Sequence, residues 1–190
     1  MYVVSSPSDT PRRAAPATPM QRAKGVLRAS FVGVDGKTRL SELHESGAAK
    51  MRLPRSYDAT AEPILINTAG GLTGGDHMTI SLVAGLGADV VATTQAHEKI
   101  YRAIDENAVV DMQLSVGPGA RLAWLPQETI LFDQARLRRR FDVELDPQSE
   151  FLAVEAVILG RRAMGETVRE GTLRDRWRIR KNGQLMFADD

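Results

Sequence analysis

The stretch Ile64 to Asp76 reads ILINTAGGLTGGD, so Gly70, Gly71, Gly74 and Gly75 come directly after an apolar, strand-like run. A glycine-rich loop in that position is first a candidate phosphate cradle. A P-loop, however, needs Lys and Ser/Thr after its last glycine, and here Gly75 is followed by Asp76, whose carboxylate repels phosphate. Gly-x-Gly-x-x-Gly is also missing, so the dinucleotide fingerprint fails. The glycines therefore read as architecture. They mark positions of positive φ or close backbone approach in a tight strand crossing, with Gly74 expected at positive φ.

Other reactive groups are sparse. The chain has no cysteine, which excludes thiolate zinc sites, iron–sulfur clusters and disulfides. There is no Gly-x-Ser-x-Gly elbow, and His44, His77 and His97 lack the His-Glu-x-x-His spacing of a zinc protease. A lone histidine such as His97 reads as packed or solvated. No enzyme signature is left, and no enzymatic activity is expected. Glu155 differs from the other acids because it interrupts the apolar run FLAVEAVIL (Phe151 to Leu159). An ionised carboxylate on a buried strand must be paired or hydrated, and Arg161 and Arg162 are the candidate ion-pair partners.

The elements that must position these residues are mostly strands. Met78, Ile80 and Leu82 alternate with Thr79, Ser81 and Val83, and the same period of two recurs in Val110 to Val116 and in Phe141 to Leu145. The intervening turns are Gly85-Leu-Gly87, Gly117-Pro-Gly119, Asp146-Pro-Gln-Ser149 and Asn182-Gly183, the last a type I′ hairpin signal. Met78 to Gln95 can be laid over Val110 to Gln127 with a shift of 32 residues, and Leu122-Ala123 over Leu152-Ala153 with a shift of 30. Strand pairs recurring at this interval predict a mainly β fold of stacked, solenoid-like layers, a β-helical arrangement with one or two short helices. The one helix that the spacing of Ala96, Ile100 and Ala103 supports runs from Gln95 to Ala103. Phe151 to Leu159 reads as one buried strand.

With 190 residues and 43% hydrophobic content, the chain has material for a single core. Residues 1–25 hold four prolines and little apolar content, and read as a disordered tail ahead of a β-rich domain over 26–190. The tail lacks the apolar segment of a signal peptide, and cytoplasm is the expected location; the alternative reading of its arginine-rich composition is a transit peptide. Apolar runs fall short of the ~20 residues of a membrane-spanning helix, so no membrane partner is expected. The formal net charge of +1 gives no global field toward nucleic acid or anionic lipid. Locally, Arg136, Arg138, Arg139 and Arg140 and the stripe Arg174, Arg176, Arg178 and Arg180 leave open a β-rich nucleic-acid-binding module. The stripe lacks the interleaved aromatics on which bases stack.

Four blocks, taken in order, carry a resemblance: NTAGGLTGGD (Asn67 to Asp76), TTQAHEKIYRA (Thr93 to Ala103), LAWLPQETILFDQA (Leu122 to Ala135), and EAVILGRRAMGE (Glu155 to Glu166) with REGTL (Arg169 to Leu173). Together they resemble the UreD family of urease accessory proteins over most of Lys50 to Asp190. The resemblance implies a β-rich, helix-poor maturation factor that binds the apo-urease subunits with UreF and the GTPase UreG. GTP hydrolysis would belong to the GTPase partner. It also implies a scaffold or chaperone role without a permanently bound cofactor, in which nickel is in transit through a water-filled passage. Oxygen ligands that hold the ion weakly suit such a passage.

On that resemblance, Glu155, with Asp76 and Glu166 beside it, is expected to line the nickel passage. Gly70, Gly71, Gly74, Gly75, Asp76, Lys99, Tyr101 and Arg102 are expected to shape the scaffold and its partner-binding surface. Family members usually run well past residue 190, so a C-terminally short, incomplete unit is expected. Many relatives carry small residues where this chain has Ala-His-Glu-Lys, and no role is carried onto His97.

Overall fold

The computed structural model describes residues 21–190. The expected tail lies outside the described residues up to Met20, and the first strand starts at Lys24. The strands are β1 (Lys24–Val34), β2 (Lys37–Gly47), β3 (Ala49–Arg52), β4 (Ile64–Asn67), β5 (His77–Ala84), β6 (Asp89–Thr94), β7 (Glu98–Ile100), β8 (Ala108–Val116), β9 (Arg121–Trp124), β10 (Thr129–Leu131), β11 (Ala135–Leu145), β12 (Glu150–Ala153), β13 (Val157–Leu159), β14 (Gly171–Lys181) and β15 (Gln184–Asp189). One 3-10 turn, Arg162–Met164, is the helical element among the described residues. None of their helices is long and apolar enough to cross a membrane.

Three coils stack, each giving one strand to each of three walls. β5, β8 and β11 pair in parallel on the first wall, β6, β9 and β12 on the second, and β7, β10 and β13 on the third. The first wall is extended at one end by the β1–β2 hairpin and at the other by the β14–β15 hairpin, giving the order β15-β14-β11-β8-β5-β1-β2. This is the β-solenoid that the period of two and the repeat predicted. Met78 lies opposite Val110 and Asp89 opposite Arg121, the expected 32-residue offset. The glycine corners stack as well, with the Gly87 amide donating to the Pro118 carbonyl at 3.0 Å.

Between the next two coils the offset on the second wall is 29, not 30. Leu122 faces Phe151, and Leu152 is turned outward at 55% exposure. Matching the two Leu-Ala pairs slipped the register by one residue, and with a period of two such a slip exchanges the faces of every side chain.

Two local expectations are corrected. Gln95 to Ala103 contains β7, not a helix. Its Ile100 bridges to Leu72 on one side, and β7 pairs with β10 on the other. So short a helix has little stability of its own, and the ladder on both sides wins. Phe151 to Leu159 is two strands joined by a corner at 154–156, and Val157, Ile158 and Leu159 are exposed because β13 is the edge of its wall.

Inside the coils, Leu27, Phe31, Leu82, Met112, Leu114, Leu137, Phe141 and Val143 from the first wall pack against Val90, Leu122 and Trp124 from the second and Ile100 from the third. The Phe141 ring stacks on Trp177 with centroids 3.8 Å apart. The hairpin turn at Asn182-Gly183 has the positive φ pair expected, 53° and 74°.

Candidate functional site

The glycine block forms a strap across the third wall. The Leu72 amide donates to the Lys99 carbonyl at 2.8 Å, and the Tyr101 amide donates back to the Leu72 carbonyl at 2.7 Å. Tyr101 adds a hydroxyl bond to the Gly70 carbonyl, and Thr73 donates its hydroxyl to the Arg102 carbonyl. Two glycines are required by space. A Cβ on Gly71 would lie 2.4 Å from the Tyr101 ring, and one on Gly74 would lie 2.4 Å from the Glu106 carbonyl oxygen. Gly74 is therefore constrained by close approach, whereas positive φ occurs at Gly70, Gly71 and Gly75.

Asp76 is buried beneath this strap. Its two oxygens accept from the Ala23 and Thr73 amides, each at 2.8 Å, so the carboxylate ties the start of β1 to the loop. The sequence-expected residues Gly70, Gly71, Gly74, Gly75, Asp76, Lys99, Tyr101 and Arg102 are thus brought together around one strand crossing.

Next to the strap the coils enclose a cavity of about 230 Å³. Leu27, Met78, Ile80, Val110, Met112 and Phe141 give it apolar walls. Asn67, Thr94, Gln95, Glu98, Lys99, Gln127, Thr129, Arg139 and Glu155 give it polar ones. The two acids of this lining stand in different surroundings.

Glu155 belongs to a buried charge cluster. The alternation of β11 turns Arg136, Arg138 and Arg140 outward and Leu137, Arg139 and Phe141 inward. Arg139 donates to Glu155 Oε2 at 2.6 Å, to the Thr129 hydroxyl at 3.3 Å and, through Nε, to Asp175 at 3.2 Å. The Trp124 indole N–H donates to the other Glu155 oxygen at 2.6 Å. Burial pushes the Glu155 carboxyl above its ordinary range, and Arg139 and Trp124 pull it back. For Arg139, burial works against the charge, but Asp175 and Glu155 outweigh it and leave the guanidinium above its usual value. Among the described residues the ion-pair partner of Glu155 is thus Arg139, and Arg161 pairs instead with Glu166 at 2.9 Å. The Arg162 side chain lies outside the described residues.

Glu98 makes no ion pair among the described residues. Its oxygens accept from the Asn67 amide at 3.1 and 3.2 Å. Burial raises its pKa from 4.5 to about 7, against the smaller lowering effects of Asn67 and Lys99. Carboxylic acid and carboxylate are therefore both populated near neutral pH.

A family profile described as UreD urease accessory protein matches residues 23–190. The chain belongs to the UreD urease accessory protein family. It is 57% identical to a urease accessory protein UreD of Rhizobium etli over 93% of this chain and 64% of that one. Its identity to the Rhizobium rhizogenes protein of the same name is 55%, over 93% and 65%, and to that of Chelativorans sp. 52%, over 93% and 64%. The chain thus spans just under two thirds of the length of these UreD relatives.

In this UreD chain the three acids expected along a metal path lie apart. Glu155 lines the cavity, Asp76 is held by backbone amides under the strap, and Glu166 lies outside the cavity lining, its carboxyl lowered chiefly by the Arg161 hydrogen bond. Glu98 is the cavity acid that sequence reading passed over. Its position inside the family block TTQAHEKIYRA was visible, but a helix placed it on a polar face instead of on an inward strand. No group of three or more metal-ligating side chains occurs among the described residues.

Proposed function

We propose that this chain acts in urease maturation as a scaffold without catalytic activity of its own. It binds apo-urease together with UreF and UreG and gives nickel a path toward the urease metal site. The GTPase partner supplies nucleotide hydrolysis. The ion is cargo and the chain keeps no resident cofactor, which suits work in the cytoplasm.

The observation that carries this reading is the cavity, apolar in its walls yet lined at intervals by single oxygen donors. A divalent ion bound by one carboxylate and a few amide or hydroxyl oxygens is held loosely enough to be released, whereas a closed cage would keep it. Glu98, which makes no ion pair among the described residues, is the stronger contributor. Glu155 takes part only by sharing its oxygens with Arg139.

The test is urease activation in cells that co-express this chain with the urease subunits, UreF and UreG. Complex assembly is followed by co-purification, with and without UreF, and nickel content is measured on the isolated urease. Glu98→Gln and Glu155→Gln keep shape and remove charge, and the expected result is a normally assembled complex with less nickel in urease. Full nickel loading by the double variant would remove the passage; failure to co-purify with urease would remove the scaffold.

A further inference from the structure

The outer face of the first wall carries a second feature, which the cavity does not use. β11 and β14 pair in parallel with Arg138 beside Arg174 and Arg140 beside Arg176. Four guanidinium groups therefore stand in a two-by-two array, with strands about 4.8 Å apart and successive outward positions roughly 7 Å apart along each strand. Further along the same strands the face neutralises itself. Arg178 pairs with Asp190 at 2.7 Å and Arg180 with Glu144 at 3.5 Å. The quartet has little of this. Arg138, Arg140 and Arg174 make no ion pair among the described residues, and Arg176 only reaches Asp190 at 4.0 Å. Asp111, the neighbour of Arg140 on β8, gives its carboxylate to His77 at 2.8 Å. The buried Nε of Arg176 has no hydrogen-bond acceptor among the described residues.

Like charges directly opposite each other on neighbouring strands are unfavourable, so this array is built at a cost that an anionic partner would relieve. We propose that the Arg138, Arg140, Arg174 and Arg176 face docks a short acidic segment of a protein partner, whose carboxylates take the guanidinium forks in bidentate pairs. Nucleic acid fits the face less well. The outward positions of β11 and β14 hold no aromatic side chain on which a base could stack, and the net charge of +1 supplies no long-range attraction to a polyanion. The docking face is independent of the cavity.

The test is fluorescence anisotropy on the purified chain with two labelled probes, hexaglutamate and a mixed-sequence oligodeoxynucleotide of matched charge. Hexaglutamate is expected to bind with an affinity that falls as salt rises. Arg138→Gln with Arg174→Gln should weaken it about tenfold, from two exposed charge contacts. Arg178→Gln should leave it unchanged, because that side chain is already committed to Asp190. Arg140→Gln, a milder change, should give a smaller loss and serves as a check if the double variant melts early. No binding of hexaglutamate, equal affinity in the double variant, or tighter binding of the oligonucleotide than of hexaglutamate would each overturn the proposal.

Discussion

Arg139 reaches 2.6 Å from Glu155 although the two residues sit on different walls of the solenoid, one in β11 and the other at the corner between β12 and β13. With Asp175 on the other side of the guanidinium, a single cation holds two carboxylates, and burial penalises the charge of Glu155. Arg139→Met should therefore destabilise the chain by about 3–5 kcal/mol, because it strands both acids. Adding Glu155→Leu and Asp175→Leu should recover much of that loss. Denaturant unfolding midpoints of the single and triple variants measure it, and equal midpoints for wild type and Arg139→Met would contradict it.

Glu98 should make stability depend on pH from the mildly acidic range up to neutrality. Its carboxyl rises from 4.5 to about 7 on folding, so between those values the folded chain holds a proton that the unfolded chain has released. Stability then falls as pH rises through that window, by a few kcal/mol at most, and levels off above it. Unfolding midpoints of wild type and Glu98→Gln, taken across the window, should differ in slope, with the variant flatter.

The strap offers a comparison between two glycines. Gly74→Ala forces a Cβ against the Glu106 carbonyl, a backbone atom that cannot swing away, and should cost about 1–3 kcal/mol. At Gly70 a Cβ meets nothing within 4 Å but φ is 76°, so Gly70→Ala should cost only about 1 kcal/mol. The order of their melting temperatures decides between crowding and φ as the dominant constraint.

Asp76 and Glu166 should respond very differently to removal. Asp76→Ala leaves the partly buried Ala23 and Thr73 amides without their acceptor, at about 1 kcal/mol or more for each unsatisfied group. Glu166→Ala breaks a pair whose arginine is half exposed, and its melting temperature should stay near that of wild type. Thermal melts of the two variants separate the cases.

The fold was legible because its signals are periodic. Alternation at Met78 to Leu82, the 32-residue echo at Val110 and the glycine corners are properties of the chain read along itself. What escaped was pairing between coils. Glu155 announced itself as a buried charge, but its partner Arg139 lies in an arginine run whose inward member becomes visible only once strand parity is applied. Glu98 was hidden by its neighbours His97 and Lys99, which give the segment a polar look that suits a helix surface as well as a short inward strand. The Leu-Ala match that slipped the register shows the same limit, since residue identity says nothing about which face a side chain takes.

The stacking of coils also bears on how the chain is made. Each of β8, β9 and β10 leans on the strand that precedes it by one coil, so every coil finds its template already synthesised. Such an array can wind up in the order of translation, each new turn closing on the last like a rope being coiled, without waiting for a distant segment to return. A substitution that weakens the Met78 strand would then disturb the birth of every later turn, whereas one in β14 would leave the earlier turns free to form.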